Sequence, residues 1–131
     1  MDSLKRVYYV EDEPDIRIIA ELALVQVGGL QLKMGATGET AIEDIRQFSP
    51  QLILLDVMMP GLDGPATLKR IRENKEFDDI PVIFLTAKVQ SDEVRELKSL
   101  GAIDVIPKPF APLTIADMLK KIYADWAAAA S

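Results

Sequence analysis

One carboxylate of this chain occupies a position where chemistry is often found. Asp56 directly follows four large aliphatic residues, 52–55, and a turn-forming stretch that includes Gly61 and Gly64 comes soon after it. An unbroken apolar run followed by turn signals favours a strand buried on both faces over a buried helical segment. Open α/β sheets bind their ligands at the carboxyl ends of such strands, so Asp56 is a candidate functional group. The alternative is that Asp56 only caps a turn or a helix.

Four more polar or charged residues follow β-rich or apolar runs in the same way. They are Glu11 and Asp12 after 7–10, Thr86 after 81–85, and Lys108 after the short run 104–106. The carboxyl ends of parallel strands share one edge, so three carboxylates, one hydroxyl and one ammonium would meet in one crevice. Like charges about 4 Å apart repel by about 4 kcal/mol at an effective dielectric of 20. An oxygen-bound divalent cation such as Mg²⁺ would relieve that repulsion.

This set of groups predicts phosphoryl transfer to a carboxylate. A carboxylate can be phosphorylated to an acyl phosphate, as in aspartyl-phosphate enzymes. The incoming phosphoryl oxygens need positive charge and hydrogen-bond donors, which Mg²⁺, Lys108 and the Thr86 hydroxyl would supply.

The composition excludes several other kinds of site. The chain has no cysteine and no histidine, which excludes thiol and imidazole nucleophiles, sulfur or imidazole metal ligation, and phosphohistidine on this chain. The formal charge of −6 gives no general attraction to nucleic acid. No apolar run approaches the roughly 18 residues of a membrane span, and the first six residues do not resemble a signal peptide. We therefore expect a cytoplasmic protein with no membrane or direct nucleic-acid partner.

Strand and helix patterns alternate five times along the 131 residues. Strands are predicted at 5–10, 30–34, 52–56, 81–85 and 104–106. Helices are predicted from Pro14 to Gly28, from 37 to 48, from Asp63 to 72, from Ser91 to 100 and from Pro112 onward, while the charged segment 73–79 is predicted to be a surface loop. This pattern indicates an α/β fold with an open, doubly wound parallel sheet of five strands in one domain, 1–131, with a core at about 5–126 and an alanine-rich tail. Pro107 cannot donate to a sheet ladder, so the fifth strand should lie at an edge.

From Val7 to about Ile122 the sequence resembles the receiver domain of bacterial two-component response regulators, of the chemotaxis-regulator kind. Four motifs at successive strand ends carry the resemblance, and their order makes it specific. They are Glu11-Asp12-Glu13-Pro14, Asp56-Val57-Met58-Met59-Pro60 with Asp63-Gly64, Thr86-Ala87, and Lys108-Pro109-Phe110.

The resemblance implies a fold, a site and partners. The fold is flavodoxin-like with strand order 2-1-3-4-5. Asp56 would be the phosphoacceptor, with Thr86 and Lys108 contacting the phosphoryl group. Glu11, Asp12, Asp56 and the backbone carbonyl of Met58 would hold Mg²⁺. The partners would be a histidine kinase or histidine phosphotransfer protein and a downstream protein that reads the phosphorylated surface.

Some positions depart from the family pattern or need special geometry. Val105 stands where the family usually has an aromatic switch residue, so the burial of a ring on activation should be absent. Glu11 replaces the usual Asp and gives a longer arm. The turn after Lys108 is rich in proline, and we predict that the Lys108–Pro109 bond is cis, which aims the lysine back into the crevice.

Two other functions compete with a signalling switch that catalyses only its own phosphorylation and dephosphorylation. A phosphohydrolase of the haloacid-dehalogenase type also uses a strand-end aspartate, but it needs a second aspartate where this chain has Met58. A receiver-like protein that is not phosphorylated would not need the complete set of acidic, hydroxyl and lysine groups. The sequence leaves open whether the chain acts alone or belongs to a larger regulator.

Overall fold

The computed structural model describes residues 3–130 and contains a parallel sheet of five strands. The strands are β1 Arg6–Val10, β2 Gln31–Gly35, β3 Leu52–Asp56, β4 Val82–Thr86 and β5 Asp104–Pro107. Their order is β2-β1-β3-β4-β5, so the predicted order is confirmed. The register pairs Val10 with Leu55 and Asp56 with Leu85, which aligns the carboxyl ends of β1, β3 and β4.

Helices cover both faces of the sheet. They are α1 Pro14–Glu21, α2 Ala41–Phe48, α3 Gly64–Arg72, α4 Ser91–Ser99 and α5 Ile115–Ala130. One core cluster joins the sheet to α1 and α5, and a second joins it to α2, α3 and α4. Because β3 and β4 are central and covered on both sides, every residue in them is buried, as their continuous apolar runs predicted.

The first helix differs from the single helix predicted from Pro14 to Gly28. After Glu21 the chain continues as a π-helical segment, Leu22–Val27. The Gly28 amide bonds to the carbonyl five residues earlier, on Ala23, and Gly28 is so close to α5 that an added Cβ would lie 2.4 Å from the Ala116 Cβ. The π-helical turn therefore depends on packing against α5, which the spacing of apolar residues in the sequence does not reveal.

Two other segments also differ from the sequence prediction. The predicted surface loop 73–79 contains a short 3₁₀ helix, Lys75–Phe77, because the ring of Phe77 is buried in the second core cluster. Helix α5 begins at Ile115 rather than Pro112, since residues 112–114 form a turn in which the Ala111 carbonyl accepts from the amides of Thr114 and Ile115. The predicted domain ends, residues 1, 2 and 131, lie outside the described residues.

Candidate functional site

Three carboxylates meet at the carboxyl edge of the sheet. Glu11 and Asp12 follow β1, and Asp56 ends the neighbouring β3, so the pairing of these strands brings them together. One oxygen from each lies within 4.8 Å of one from each of the others. Glu11 and Asp56 are almost completely buried, at 0% and 2% exposure. The predicted acidic cluster therefore forms, and it forms where water cannot screen its charges well.

Lys108 places a single cation between two of these carboxylates. Its Nζ lies 3.1 Å from Glu11 Oε1 and 3.1 Å from Asp56 Oδ1. The chain reaches this position from the end of β5, where the Lys108 amide donates to the Thr86 carbonyl at 2.9 Å. The Lys108–Pro109 bond is cis, as predicted. One ammonium thus compensates two buried negative charges and leaves the cluster short of positive charge.

The electrostatics of Asp56 reflect this shortage. Burial, followed by repulsion from Glu11, raises the pKa of Asp56 from 3.8 to about 6, although Lys108 acts in the opposite direction. For Lys108, burial lowers the pKa, but its bonds to Glu11 and Asp56 outweigh burial and raise the pKa above its ordinary value. At neutral pH the site therefore holds a charged lysine beside an ionised carboxylate, although burial and the Glu11 charge disfavour the ionised form of Asp56.

Two carboxylate oxygens in the cluster are well suited to a cation. Asp12 Oδ1 and Asp56 Oδ2 are buried and have no hydrogen-bond partner among the described residues. A buried oxygen without a donor costs about 1–3 kcal/mol, which a bound cation would recover. Mg²⁺ accepts carboxylate and carbonyl oxygens, so the donor set fits it. The role of the Met58 carbonyl as a ligand stays a prediction.

Tyr9 is a site residue that the sequence reasoning missed. Its hydroxyl donates to Glu11 Oε1 at 2.9 Å, within the buried core. Burial and the neighbouring Glu11 charge raise the pKa of Tyr9, so its hydroxyl stays protonated and remains a donor. The alternation of side chains along a strand could have indicated this contact, because residues 9 and 11 of an extended chain point to the same face of the sheet.

Thr86 lies at the end of β4 and is 2% exposed. Its hydroxyl oxygen accepts from the Lys88 amide at 3.0 Å. Thr86 lines a cleft of about 540 Å³ together with Asp56, Lys108, Met58 and residues of α1 and the β5–α5 turn. The structure therefore brings the predicted hydroxyl, ammonium and acceptor carboxylate to one opening.

The turn after β3 holds the chain close to Asp56. Asp63 caps α3 by accepting from the Ala66 amide at 2.9 Å, and the Gly64 amide donates to the Val57 carbonyl at 3.0 Å. A Cβ at position 64 would lie 2.5 Å from the Asp56 carbonyl oxygen. Glycine is therefore required where the start of α3 touches the end of β3.

The position of the family's switch residue is occupied by a half-buried Val105 in β5. It packs against the second core cluster, on the side of α2, α3 and α4. A valine side chain has one stiff rotor and cannot move between distant positions as a ring can.

Comparisons with known proteins identify the family of this chain. The family model "Response regulator receiver domain" matches residues 7–120. The phosphate regulon transcriptional regulatory protein PhoB of Escherichia coli (strain K12) is 36% identical over 119 residues, which cover 90% of this chain and 51% of that protein. This chain thus spans about half the length of the curated relatives that it matches.

Solved structures similar to this fold come from different kinds of regulator. The chemotaxis response regulator CheY4 of Vibrio cholerae is 27% identical, with a TM-score of 0.82 over 92% of this chain and 99% of that chain. The signal receiver domain of a signal transduction histidine kinase from Syntrophus aciditrophicus is 28% identical, with a TM-score of 0.77 over 91% and 89%. Together with the geometry above, these matches show that the chain belongs to the response regulator receiver domain family, whose members are phosphoacceptor signalling switches.

Proposed function

We propose that Asp56 is the phosphoacceptor of this receiver domain. The observation that carries the proposal is the buried Asp56 carboxylate, which lines the cleft with one oxygen paired to Lys108 and the other without a described donor. Its raised pKa marks a carboxylate that is poorly stabilised as an anion. Forming an acyl phosphate removes the buried negative charge from the attacking oxygen and places the phosphoryl charge nearer the open cleft.

The transfer is a displacement at phosphorus. An Asp56 oxygen attacks the phosphorus atom of a phosphohistidine on a partner kinase or phosphotransfer protein, and the phosphorus–nitrogen bond breaks. The bonding electron pair returns to the imidazole nitrogen, so the product is an aspartyl acyl phosphate. Lys108 then shifts part of its attraction from Asp56 to the phosphoryl oxygens. The Thr86 hydroxyl, whose oxygen accepts from the Lys88 amide, donates its own O–H to one of them.

Glu11, Asp12, Asp56 and the Met58 carbonyl would hold Mg²⁺. The ion, when bound, supplies positive charge that offsets the acidic cluster and the phosphoryl oxygens. Receiver domains are signalling proteins rather than metabolic enzymes, and we propose that this chain catalyses only its own phosphorylation and dephosphorylation. The dehalogenase-type phosphohydrolase is not favoured, because Met58 stands where that class needs a second aspartate.

The proposed partners are proteins. One is the phosphoryl donor, and the other reads the phosphorylated surface. With a formal charge of −6, the domain itself is not proposed to bind nucleic acid. Among residues 3–130 the structure contains no helix long and apolar enough to cross a bilayer. The cytoplasmic location and the single-domain organisation of residues 1–131 stay predictions.

Intact-mass spectrometry tests the proposal. Wild-type protein treated with a small phosphodonor and Mg²⁺ should gain one phosphoryl group, whereas EDTA or Asp56→Asn should abolish the gain. Asp104→Asn is a matched control, because it removes a carboxylate charge at the start of β5, away from the acidic cluster. That carboxylate lies 3.7 Å from Lys98 and accepts from the Val105 amide at 2.8 Å, a bond that the asparagine side-chain oxygen can also accept. Undiminished labelling of Asp56→Asn would refute the assignment.

A further inference from the structure

The acidic pair of the proposed metal site contains one unusually long arm. Glu11 is fully buried, and an extended side chain with three rotatable bonds must be held in one orientation to serve as a ligand. Its Oε1 already accepts from two donors, Tyr9 at 2.9 Å and Lys108 at 3.1 Å. Within residues 3–130, its Oε2 accepts only one long hydrogen bond, from the Glu13 amide at 3.4 Å. The two oxygens of Glu11 therefore have different surroundings, and Oε2 is the one with lone pairs to spare.

We infer that Tyr9 is a positioning residue for the metal site, which holds Glu11 Oε1 so that Oε2 is presented toward the cation. The inference rests on the proposed function, because it concerns how this chain builds its Mg²⁺ site. Tyr9 lies two residues before Glu11 on β1, and its side chain belongs to the core between the sheet and helices α1 and α5. The tyrosine is thus fixed by packing, and its hydroxyl ends at the carboxylate.

Lys108 alone cannot perform this task during the reaction. Lys108 is shared with Asp56, and in the proposed transfer its attraction turns toward the phosphoryl oxygens. The Tyr9 hydroxyl has no such competing role, so it keeps a donor on the buried Oε1 at every stage. Partners that orient metal ligands in this way are commonly worth 10–100-fold in metal affinity.

The neighbouring residue provides a closely matched control. Tyr8 is also fully buried on β1, but it faces the opposite core cluster, and its hydroxyl donates to Asp44 Oδ2 at 2.8 Å. Tyr8→Phe therefore removes the same chemical group from the same strand without touching the acidic cluster. Its effect on metal affinity reports what the loss of any buried tyrosine hydroxyl does here.

The experiment is calorimetric titration of the full chain with Mg²⁺ alone. Tyr9→Phe should weaken Mg²⁺ binding by about tenfold, whereas Tyr8→Phe should change it by less than about twofold. Glu11→Asp shortens the side chain so that its carboxylate no longer meets the Tyr9 hydroxyl. Adding Tyr9→Phe to Glu11→Asp should therefore reduce Mg²⁺ affinity by less than about a further twofold. Such loss of the Tyr9 effect distinguishes positioning of Glu11 from a general packing role.

The outcomes separate the inference from the function on which it rests. The inference would be overturned if Tyr9→Phe bound Mg²⁺ as tightly as the wild type. It would also be overturned if Tyr9→Phe reduced Mg²⁺ affinity equally in the wild-type and Glu11→Asp backgrounds. In both cases, Mg²⁺ binding by the wild type would still support the proposed function. Absence of Mg²⁺ binding in the wild type would contradict the proposed function and the inference together. If Tyr9→Phe is too unstable to titrate in buffer, the same titration in sucrose, which favours the folded state, repeats the test with the same tenfold loss expected.

Discussion

Replacing Asp56 with asparagine should stabilise the metal-free protein. Unfolding restores the ordinary pKa of this carboxyl group, 3.8, whereas the folded value is about 6. The folded state therefore binds this proton more tightly, and the free energy of unfolding falls as the pH rises from about 4 through about 6. Near pH 7.5 the shift of about two pKa units corresponds to about 3 kcal/mol of lost stability.

Asparagine removes this cost because it has no charge to desolvate. The raised pKa already includes the favourable attraction of Lys108, so the gain is a net one. Urea unfolding in EDTA near pH 7.5 should give Asp56→Asn about 3 kcal/mol more stability than the wild type. Near pH 5, where the folded wild type is mostly protonated at this site, the gap should shrink to about half.

Two comparisons test whether the gain in stability comes from removing the buried charge of Asp56. Asp104→Asn, which alters a partly exposed carboxylate, should change stability by less than about 1 kcal/mol. Saturating Mg²⁺ should stabilise the wild type but have much less effect on Asp56→Asn, because ligand binding to the folded state adds to stability. An Asp56→Asn variant that is no more stable than the wild type in EDTA near pH 7.5 would show that the buried charge of Asp56 does not destabilise the fold.

Changes at Gly64, at Lys108 and at the phosphorylation site itself should each have a measurable effect. Gly64→Ala should destabilise the protein by about 1–3 kcal/mol in urea unfolding and slow labelling, because its Cβ would lie 2.5 Å from the Asp56 carbonyl; wild-type stability would contradict this. Lys108→Ala should reduce stability in EDTA and slow phosphorylation at least tenfold in an intact-mass time course, because two buried carboxylates lose their shared cation; an unchanged rate would exclude the proposed role. A phosphoryl mimic should shift amide NMR signals most at 87–90 and little at 103–106, and the reverse distribution would contradict the interpretation of Val105.

The sequence was sufficient to predict the sheet and the meeting of most candidate site residues at one edge of it. Strand order came from a family resemblance, but the convergence of Glu11, Asp56 and Lys108 follows from a simpler rule. Each ends or directly follows a strand pattern, and parallel strands end at one edge. Because the central strands are buried on both faces, their apolar runs are unbroken and their ends are easy to identify.

The features that the sequence did not reveal depend on contacts between distant segments. The π-helical segment is fitted to α5 through the close approach of Gly28 to Ala116. Phe77 is a single aromatic residue in a charged stretch, and its burial depends on the space left beside the second core cluster. Tyr9 has the same pattern as any core aromatic residue, and only the direction of its hydroxyl makes it part of the site.

Chemical trapping can show directly whether Asp56 carries the phosphoryl group. The most direct measurement is to phosphorylate the wild type with a small donor and Mg²⁺, reduce the acyl phosphate with borohydride, and locate the modified residue by peptide mass spectrometry. We expect that position 56 alone is converted to homoserine and that EDTA prevents the conversion. Modification of Glu11 or Asp12 instead, or a phosphoryl group that resists reduction because it is attached to a hydroxyl, would contradict it.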